Sequence, residues 1–197
     1  MPGVTDNKKT DGIIGPDSAF PVSKAQMATW LLMTGVTMLF AGLSSAYVVL
    51  RGSPTWQNIE LPPLLWLNTL ILIGSSVTLE IARSAVKRDR QRDLTLWLGL
   101  SAMLGIAFLT GQIVVWRQLV RAGVYLPSTL HSSFFYVLTS VHGLHLTGGV
   151  VALGFVFQSA VHGQLRPASH ERLKLGALYW HFMDAVWIYL FLLLLFA

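Results

Sequence analysis

The sequence predicts an all-α membrane protein that folds as a bundle of five transmembrane helices. Of its 197 residues, 53% are hydrophobic and only 12% are charged, whereas soluble domains average roughly 25% charged residues. Long stretches lack Asp, Glu, Lys and Arg, and about 20 such residues let one helix cross the hydrocarbon core of a bilayer. The chain contains no cysteine, which excludes disulfides, thiolate metal sites, iron–sulfur clusters and cysteine nucleophiles.

The chain divides into a tail and a membrane domain. Residues 1–22 are polar, contain prolines and glycines, and lack an apolar run of a signal peptide's length, so we expect a mobile cytoplasmic tail. Residues 23–197 are expected to form the five-helix domain. Its spans are predicted at residues 28–50, 61–79, 94–116, about 134–161 and about 173–197.

The fourth span lies within a longer uncharged stretch. No formal charge occurs from Ala122 to Val161, and a stretch of that length has room for two short spans. Pro127 and the serines and threonines around it predict a loop at its front. We therefore expect a single span there, with His131 in the polar loop before it.

The basic residues predict the orientation in the membrane. With five spans, the amino terminus and the second and fourth loops share one side. Because cytoplasmic loops are enriched in Lys and Arg, this side is expected to be the cytoplasm and the carboxyl terminus is expected outside. The net charge of +5 is thus attributed to span flanks, with no nucleic-acid partner. The basic residues on the predicted cytoplasmic side are Lys8, Lys9, Lys24, Arg83, Lys87, Arg88, Arg90, Arg92, Arg166, Arg172 and Lys174.

Ionisable residues inside membrane spans are costly, so each is a candidate functional residue. Glu80 lies three residues before Arg83, which places both on one helix face and predicts an interfacial ion pair near the cytoplasm. A basic run follows, and basic residues beside a span attract anionic lipid. We therefore expect Arg83, Lys87 and Arg88 to contact phospholipid headgroups.

Two pairs of polar residues recur with the same spacing. His142 and His145 lie three apart on the fourth span, and His181 and Asp184 repeat this spacing on the fifth. We expect these faces to meet as buried helix ties, with Asp184 accepting a hydrogen bond from a histidine, because an unpaired polar group in hydrocarbon costs several kcal/mol. A proton relay, and metal or haem ligation involving His131, are alternatives. The ionisable groups are not expected to form a continuous ladder for protons.

Longer motifs resemble subunit III of the haem–copper oxidases, both cytochrome c and quinol oxidases. Ser133 to His145 reads SFFYVLTSVHGLH and is similar to an SFF…HGLH segment of that family. Tyr179 to Trp187 reads YWHFMDAVW and resembles the family's YWHFVDVVW close. Leu67 to Thr69, followed by Ser75 to Thr78, resembles its asparagine–threonine helix start.

The resemblance implies a helical bundle that carries no haem or copper, because partner subunits hold those cofactors. It also implies packing beside subunit I, with subunit II and small subunits in the complex, bound phospholipid, and support of proton uptake. This chain resembles a short form, with five spans where fuller members have seven. Fuller members also carry a buried glutamate at the position near Val36, and that role is not transferred to Glu80.

The expected function is therefore a non-catalytic subunit III of a proton-pumping terminal oxidase in a bacterial-type cytoplasmic membrane. An accessory subunit of a nitric-oxide reductase is the alternative within the same class. A stand-alone proton or small-solute transporter is the alternative from another class, and it should show repeated broken helices and converging ionisable groups.

Overall fold

The structure is a computed structural model that describes residues 23–54, 56, 61–88, 90–162 and 167–196. Its helices are α1 (Lys24–Arg51), α2 (Leu64–Lys87), α3 (Gln91–Arg121), α4 (Leu130–Val161) and α5 (Pro167–Phe196). All five are long and apolar enough to cross a membrane, which confirms the predicted bundle. The expected tail, residues 1–22, and the side chain of Lys87 lie outside the described residues.

The helices extend beyond the uncharged stretches that predict them. Helix α2 continues through Glu80 and Arg83 to Lys87, and α3 begins at Gln91. Charged residues do not end a helix, because its backbone hydrogen bonds form equally well in the interfacial region. Charge limits therefore mark the apolar part of each helix rather than its ends.

The start of α4 corrects the predicted loop. Thr129 is the N-cap: its Oγ1 accepts the backbone N–H of Ser132 at 3.0 Å, while Ser132 Oγ accepts the N–H of Thr129 at 2.9 Å. This reciprocal pair is a capping box. Pro127 and Ser128 lie in a turn before α4, as expected, whereas Ser132, Ser133 and His131 belong to the first turn of the helix.

Four helices form a closed ring, and the remaining helix, α1, lies against its side. Helices α2, α3, α4 and α5 each contact two ring neighbours, with α5 returning to α2. Thr78, late in α2, meets Ser101 of α3, whereas Asn68, early in α2, meets Gly111 ten residues further along α3, so the two helices run antiparallel. Within the described residues, α1 contacts only α4 and α5.

Glycines allow the closest approaches within the ring. A Cβ on Gly105 of α3 would lie 2.6 Å from Cη2 of Trp180, a fully buried side chain of α5. A Cβ on Gly111 would collide with the Asn68 amide of α2. Small residues let membrane helices pack backbone to side chain in this way, so the backbone of α3 accommodates Trp180 from α5 across the ring and Asn68 from the neighbouring α2.

Candidate functional site

Indole N–H groups attach α5 to α2. Nε1 of Trp180 donates to Ser75 Oγ at 2.9 Å, and Nε1 of Trp187 donates to Thr69 Oγ1 at 3.1 Å. All four side chains are buried. Because a later residue of α5 pairs with an earlier residue of α2, these bonds set an antiparallel register between the two helices.

That register brings a set of polar side chains together, here called the Ser76 cluster. Ser76 Oγ lies 2.8 Å from His181 Nδ1 and donates a hydrogen bond to Asp184 Oδ2. Nε2 of His181 lies 3.5 Å from Glu80 Oε2, which also accepts a 2.8 Å hydrogen bond from Arg83 Nη1. The cluster therefore joins three residues of α2 to two of α5.

The donors and acceptors of the Ser76 cluster follow from the single proton of the Ser76 hydroxyl. A serine hydroxyl carries one proton, so a Ser76 that donates to Asp184 must accept its second hydrogen bond from Nδ1–H of His181. The other ring nitrogen of His181 then faces the Glu80 carboxylate. The Ser76 hydroxyl and the His181 ring thus link the carboxylates of Asp184 and Glu80 across the two helices.

The contacts that run from Arg83 to Asp184 do not extend to His142, whose ring nitrogens have no partner among the described residues, so the absence of a continuous proton ladder stays a prediction. One expectation about Asp184 is wrong: it accepts a hydrogen bond from Ser76 of α2, where a histidine of the fourth or fifth span was expected, and so ties α5 to α2. The reason is rotational: α5 directs Trp180 into the ring, which turns the face carrying His181 and Asp184 toward α2.

His142 occupies the centre of the bundle. Its ring is fully buried, and its centroid lies 6.3 Å from that of Phe40, 6.0 Å from Phe108 and 5.0 Å from Trp187. Among the described residues, neither of its ring nitrogens has a hydrogen-bond partner. His142 thus contacts α1, α3 and α5 through ring packing, and the expected polar tie is not formed by its nitrogens.

His145 contributes to the α4–α5 contact through its backbone. Its Nδ1 lies 2.8 Å from the carbonyl oxygen of Val141 on the same helix. Its own carbonyl oxygen accepts a 3.1 Å hydrogen bond from the hydroxyl of Tyr179 on α5. The sequence analysis missed Tyr179 as a helix tie, because a backbone acceptor leaves no signal in residue type.

His131 also differs from expectation. It is buried, its Nε2 lies 3.4 Å from the hydroxyl of Tyr47 on α1, and its ring stacks on Trp56 with centroids 5.0 Å apart. Phe134 packs edge-on against Tyr47 beside it. This aromatic group joins the carboxyl-terminal end of α1 to the start of α4. His131 is therefore buried at a contact between helices, where an exposed position in a loop was expected.

The rings of His131, His142 and His181 lie in separate parts of the bundle. His131 lies at one end of α4, His142 lies at the bundle centre, and His181 faces α2. In the part of the chain that the structure describes, no group of three His, Asp or Glu side chains is arranged to hold a metal ion.

Comparison with known proteins decides the family. The sequence model described as cytochrome c oxidase subunit III matches residues 29–197, which includes helices α2 to α5 and all of α1 except its first five residues. The chain belongs to this family.

Several relatives carry the same description. Cytochrome c oxidase subunit 3 of Synechocystis sp. is 36% identical over 83% of this chain and 71% of its own length. That of Thermostichus vulcanus is 36% identical over 80% of each chain. That of Bacillus sp. PS3 is 30% identical over 82% of this chain and 80% of its own length.

Membership of the subunit III family means that this chain is an accessory part of an oxidase complex with other subunits. Within the subunit III fold, the two longest motifs occupy defined places. The segment from Ser133 to His145 supplies the first half of α4, with His142 at the bundle centre. The segment from Tyr179 to Trp187 supplies both indole ties and the α5 half of the Ser76 cluster.

A groove of about 670 Å³ lies between α1, α4 and α5. It lies at the end of the bundle where α4 finishes and α5 begins. Its wall is apolar for most of its length and polar at the end where Arg172 is exposed. The sequence analysis missed this groove, because a gap between helices has no local sequence pattern. Lining residues include Leu32, Gly149, Gln158, Ser159, Arg172 and Tyr179.

Proposed function

We propose that this chain is a non-catalytic subunit III of a respiratory haem–copper oxidase that reduces oxygen to water and pumps protons. It packs mainly beside subunit I, with subunit II and small subunits in the same complex, in a bacterial-type cytoplasmic membrane. Its amino terminus faces the cytoplasm and its carboxyl terminus faces outward. The observation that carries this proposal is the family match across residues 29–197.

Haem and copper belong to the partner subunits in this proposal. The side-chain geometry supports that division: His145 directs Nδ1 to its own helix and His181 directs Nδ1 to Ser76. A haem or copper site needs imidazoles converging on one point. The chain purified alone should therefore show neither a Soret band nor bound copper. A stoichiometric low-spin haem spectrum that disappears in His145→Ala would contradict this.

Phospholipid is the expected ligand of the groove between α1, α4 and α5. Acyl chains fit its apolar wall, and the exposed guanidinium of Arg172 stands at the end where a phosphate would lie. Arg83, Lys87 and Arg88 remain candidates for headgroup contact at the same membrane face. Of these, Arg83 is already paired with Glu80 and Arg88 is exposed.

Lipid analysis of the purified oxidase separates these two positions. Arg172→Gln should lower the phospholipid that remains bound after detergent exchange, since the groove loses its cation. The variant with Gln at Arg83, Lys87 and Arg88 tests the basic run at the end of α2. Arg117→Gln is the control, because Arg117 lies at the opposite end of the bundle. If all variants retain the same amount of phospholipid, these basic residues only set the orientation of the chain in the membrane.

The whole-complex experiment compares the oxidase with and without this chain. The chain should co-purify with the haem-bearing subunits, and the complex lacking it should take up protons more slowly and lose activity sooner during turnover. Oxygen consumption and proton uptake are measured per haem. A chain that never co-purifies with a haem protein, or a complex indifferent to its removal, would overturn the proposal.

A further inference from the structure

Part of the Ser76 cluster reaches the outer surface of the bundle. Its outer edge lies on the surface made by α2 and α5, here called the α2–α5 face: Ile73, Val77 and Glu80 of α2, with His181, Ile188 and Leu192 of α5. The side chain of Glu80 is 55% exposed, that of His181 37% and that of Arg83 28%. The other residues of the face are exposed apolar side chains.

These polar groups belong to helix segments that are long and apolar enough to cross a membrane. Glu80 directly follows the uncharged stretch of α2 that ends at Leu79, and at 1.5 Å per residue it lies about 9 Å before Val86, where the spanning segment of α2 ends. His181 lies about 13 Å inside the end of the α5 span at Arg172. Arg83 is long enough to extend toward the interface, but His181 is held at depth by its bond to Ser76.

The other exposed surfaces have a different chemistry. No Asp, Glu, Lys or Arg occurs from Ala28 to Leu50 on α1, from Leu94 to Trp116 on α3, or from Phe134 to Val161 on α4. Hydrocarbon supplies no hydrogen bonds, so ionisable groups within spans normally face protein or water. The α2–α5 face is therefore poorly suited to lipid.

We propose that the α2–α5 face packs against a transmembrane helix of another subunit of the oxidase, and that this helix places a hydrogen-bond donor against Glu80. The inference rests on the proposed function and adds the surface and the chemistry of contact. An ionised carboxylate only accepts hydrogen bonds, and the exposed part of Glu80 is open to a donor. The required partner is a mostly apolar helix with an Arg, Lys, hydroxyl or amide at that depth.

Other occupants fit less well. Lipid tails have no donor to offer Glu80. A second copy of this chain, related by a two-fold axis along the membrane normal, would bring the same depths together and set Glu80 opposite Glu80. A different subunit with a donor at that depth avoids this repulsion between like charges.

The chain is suited to cysteine mapping, because it contains no cysteine of its own. Ile73→Cys and Ile188→Cys place single thiols on the α2–α5 face. Met103→Cys is the matched control: Met103 is exposed on α3, and it follows Ser101, the partner of Thr78, so its depth is close to that of Ser76. The complete oxidase is treated with an uncharged, membrane-soluble alkyl maleimide, and labelling of this chain is followed by intact mass.

Ile73→Cys and Ile188→Cys should label about tenfold more slowly in the complete oxidase than after the chain is dissociated in detergent, because interface cores are packed like protein interiors. Met103→Cys should label at similar rates in both states. Labelling of the first two at the control's rate in an intact complex would overturn the proposal. Co-purification in that experiment keeps the proposed function intact, so the two failures are distinguishable.

A second measurement tests the donor. Glu80→Gln should release the chain from the oxidase at a lower detergent concentration than wild type, since a charge-assisted hydrogen bond is lost. The control is Asp93→Asn, which removes an ion pair between the first turn of α3 and Arg90, the residue before that helix. Equal release of both variants and wild type would show that no donor contacts Glu80.

Discussion

The contact between α2 and α5 and the contact of α1 with the bundle are built in opposite ways. Helices α2 and α5 are joined by hydrogen bonds between side chains, from the buried pair Trp187 and Thr69 to the part-buried pair His181 and Ser76. Helix α1 buries only a narrow stripe, made by Val36, Phe40, Ser44 and Tyr47. Among the described residues, its side chains reach α4 chiefly through rings.

This difference has a consequence for specificity. Apolar packing alone distinguishes helix partners poorly in a bilayer, because lipid is as apolar as the helix surface. The hydrogen bonds of α2 and α5 each require one register, whereas ring contacts tolerate small shifts. We therefore expect the four-helix ring to be the rigid part of the molecule, and α1 to be the part that adapts to lipid in the groove.

The largest expected effect comes from filling a tight contact in the ring. Gly105→Leu would drive its side chain into Trp180, and overpacking typically costs about 1–3 kcal/mol, with this buried indole placing it at the upper end. Gly42→Leu on α1 is the matched control, since nothing lies within 4 Å of a Cβ there. The measurement is recovery of monodisperse chain from detergent over a temperature series.

If Gly42→Leu lowers that recovery as much as Gly105→Leu does, the contrast between the ring and α1 is wrong. A neutral result for Gly105→Leu would show that α5 moves away from α3 at little cost.

A smaller effect is expected from removing the acid of the Ser76 cluster. Asp184→Leu leaves Ser76 without its acceptor, at a cost of roughly 1–3 kcal/mol, and should weaken assembly. Asp184→Asn can still accept the hydrogen bond from the Ser76 hydroxyl and should preserve turnover. Oxygen consumption and proton uptake of the whole oxidase are normalised to assembled complex. Lost proton uptake in Asp184→Asn, with assembly intact, would make Asp184 a proton carrier rather than a helix tie.

The smallest effect is expected at the aromatic contact of α1. Tyr47→Phe keeps the ring packing against Phe134 and removes the 3.4 Å hydrogen bond to His131, which is worth about 1 kcal/mol or less. Tyr125→Phe, at an exposed tyrosine, is the control. Thermal stability of the purified complex is compared for both. A loss larger than that of Asp184→Leu would reverse the order of the two regions.

Some of the site was predictable because it depends on spacing along one helix. Glu80 and Arg83 lie three residues apart, and the structure joins them at 2.8 Å. The same rule placed His181 and Asp184 on one face of α5, which is the face that meets Ser76. Ser76 lies in a segment that resembles the family, but its residue type did not predict this role, because a serine in a helix can hydrogen-bond to its own backbone instead.

Sequence by itself determined the class of protein, the number of spans and the family, because apolar length and motif identity are properties of consecutive residues. Tertiary structure decided which helices meet and which groups pair: Asp184 with Ser76, Tyr179 with a backbone carbonyl, and His131 with Tyr47. These choices depend on how each helix is rotated and how closely glycines such as Gly105 let its neighbours approach. Rotation follows from the packing of all five helices together, and no local pattern specifies it.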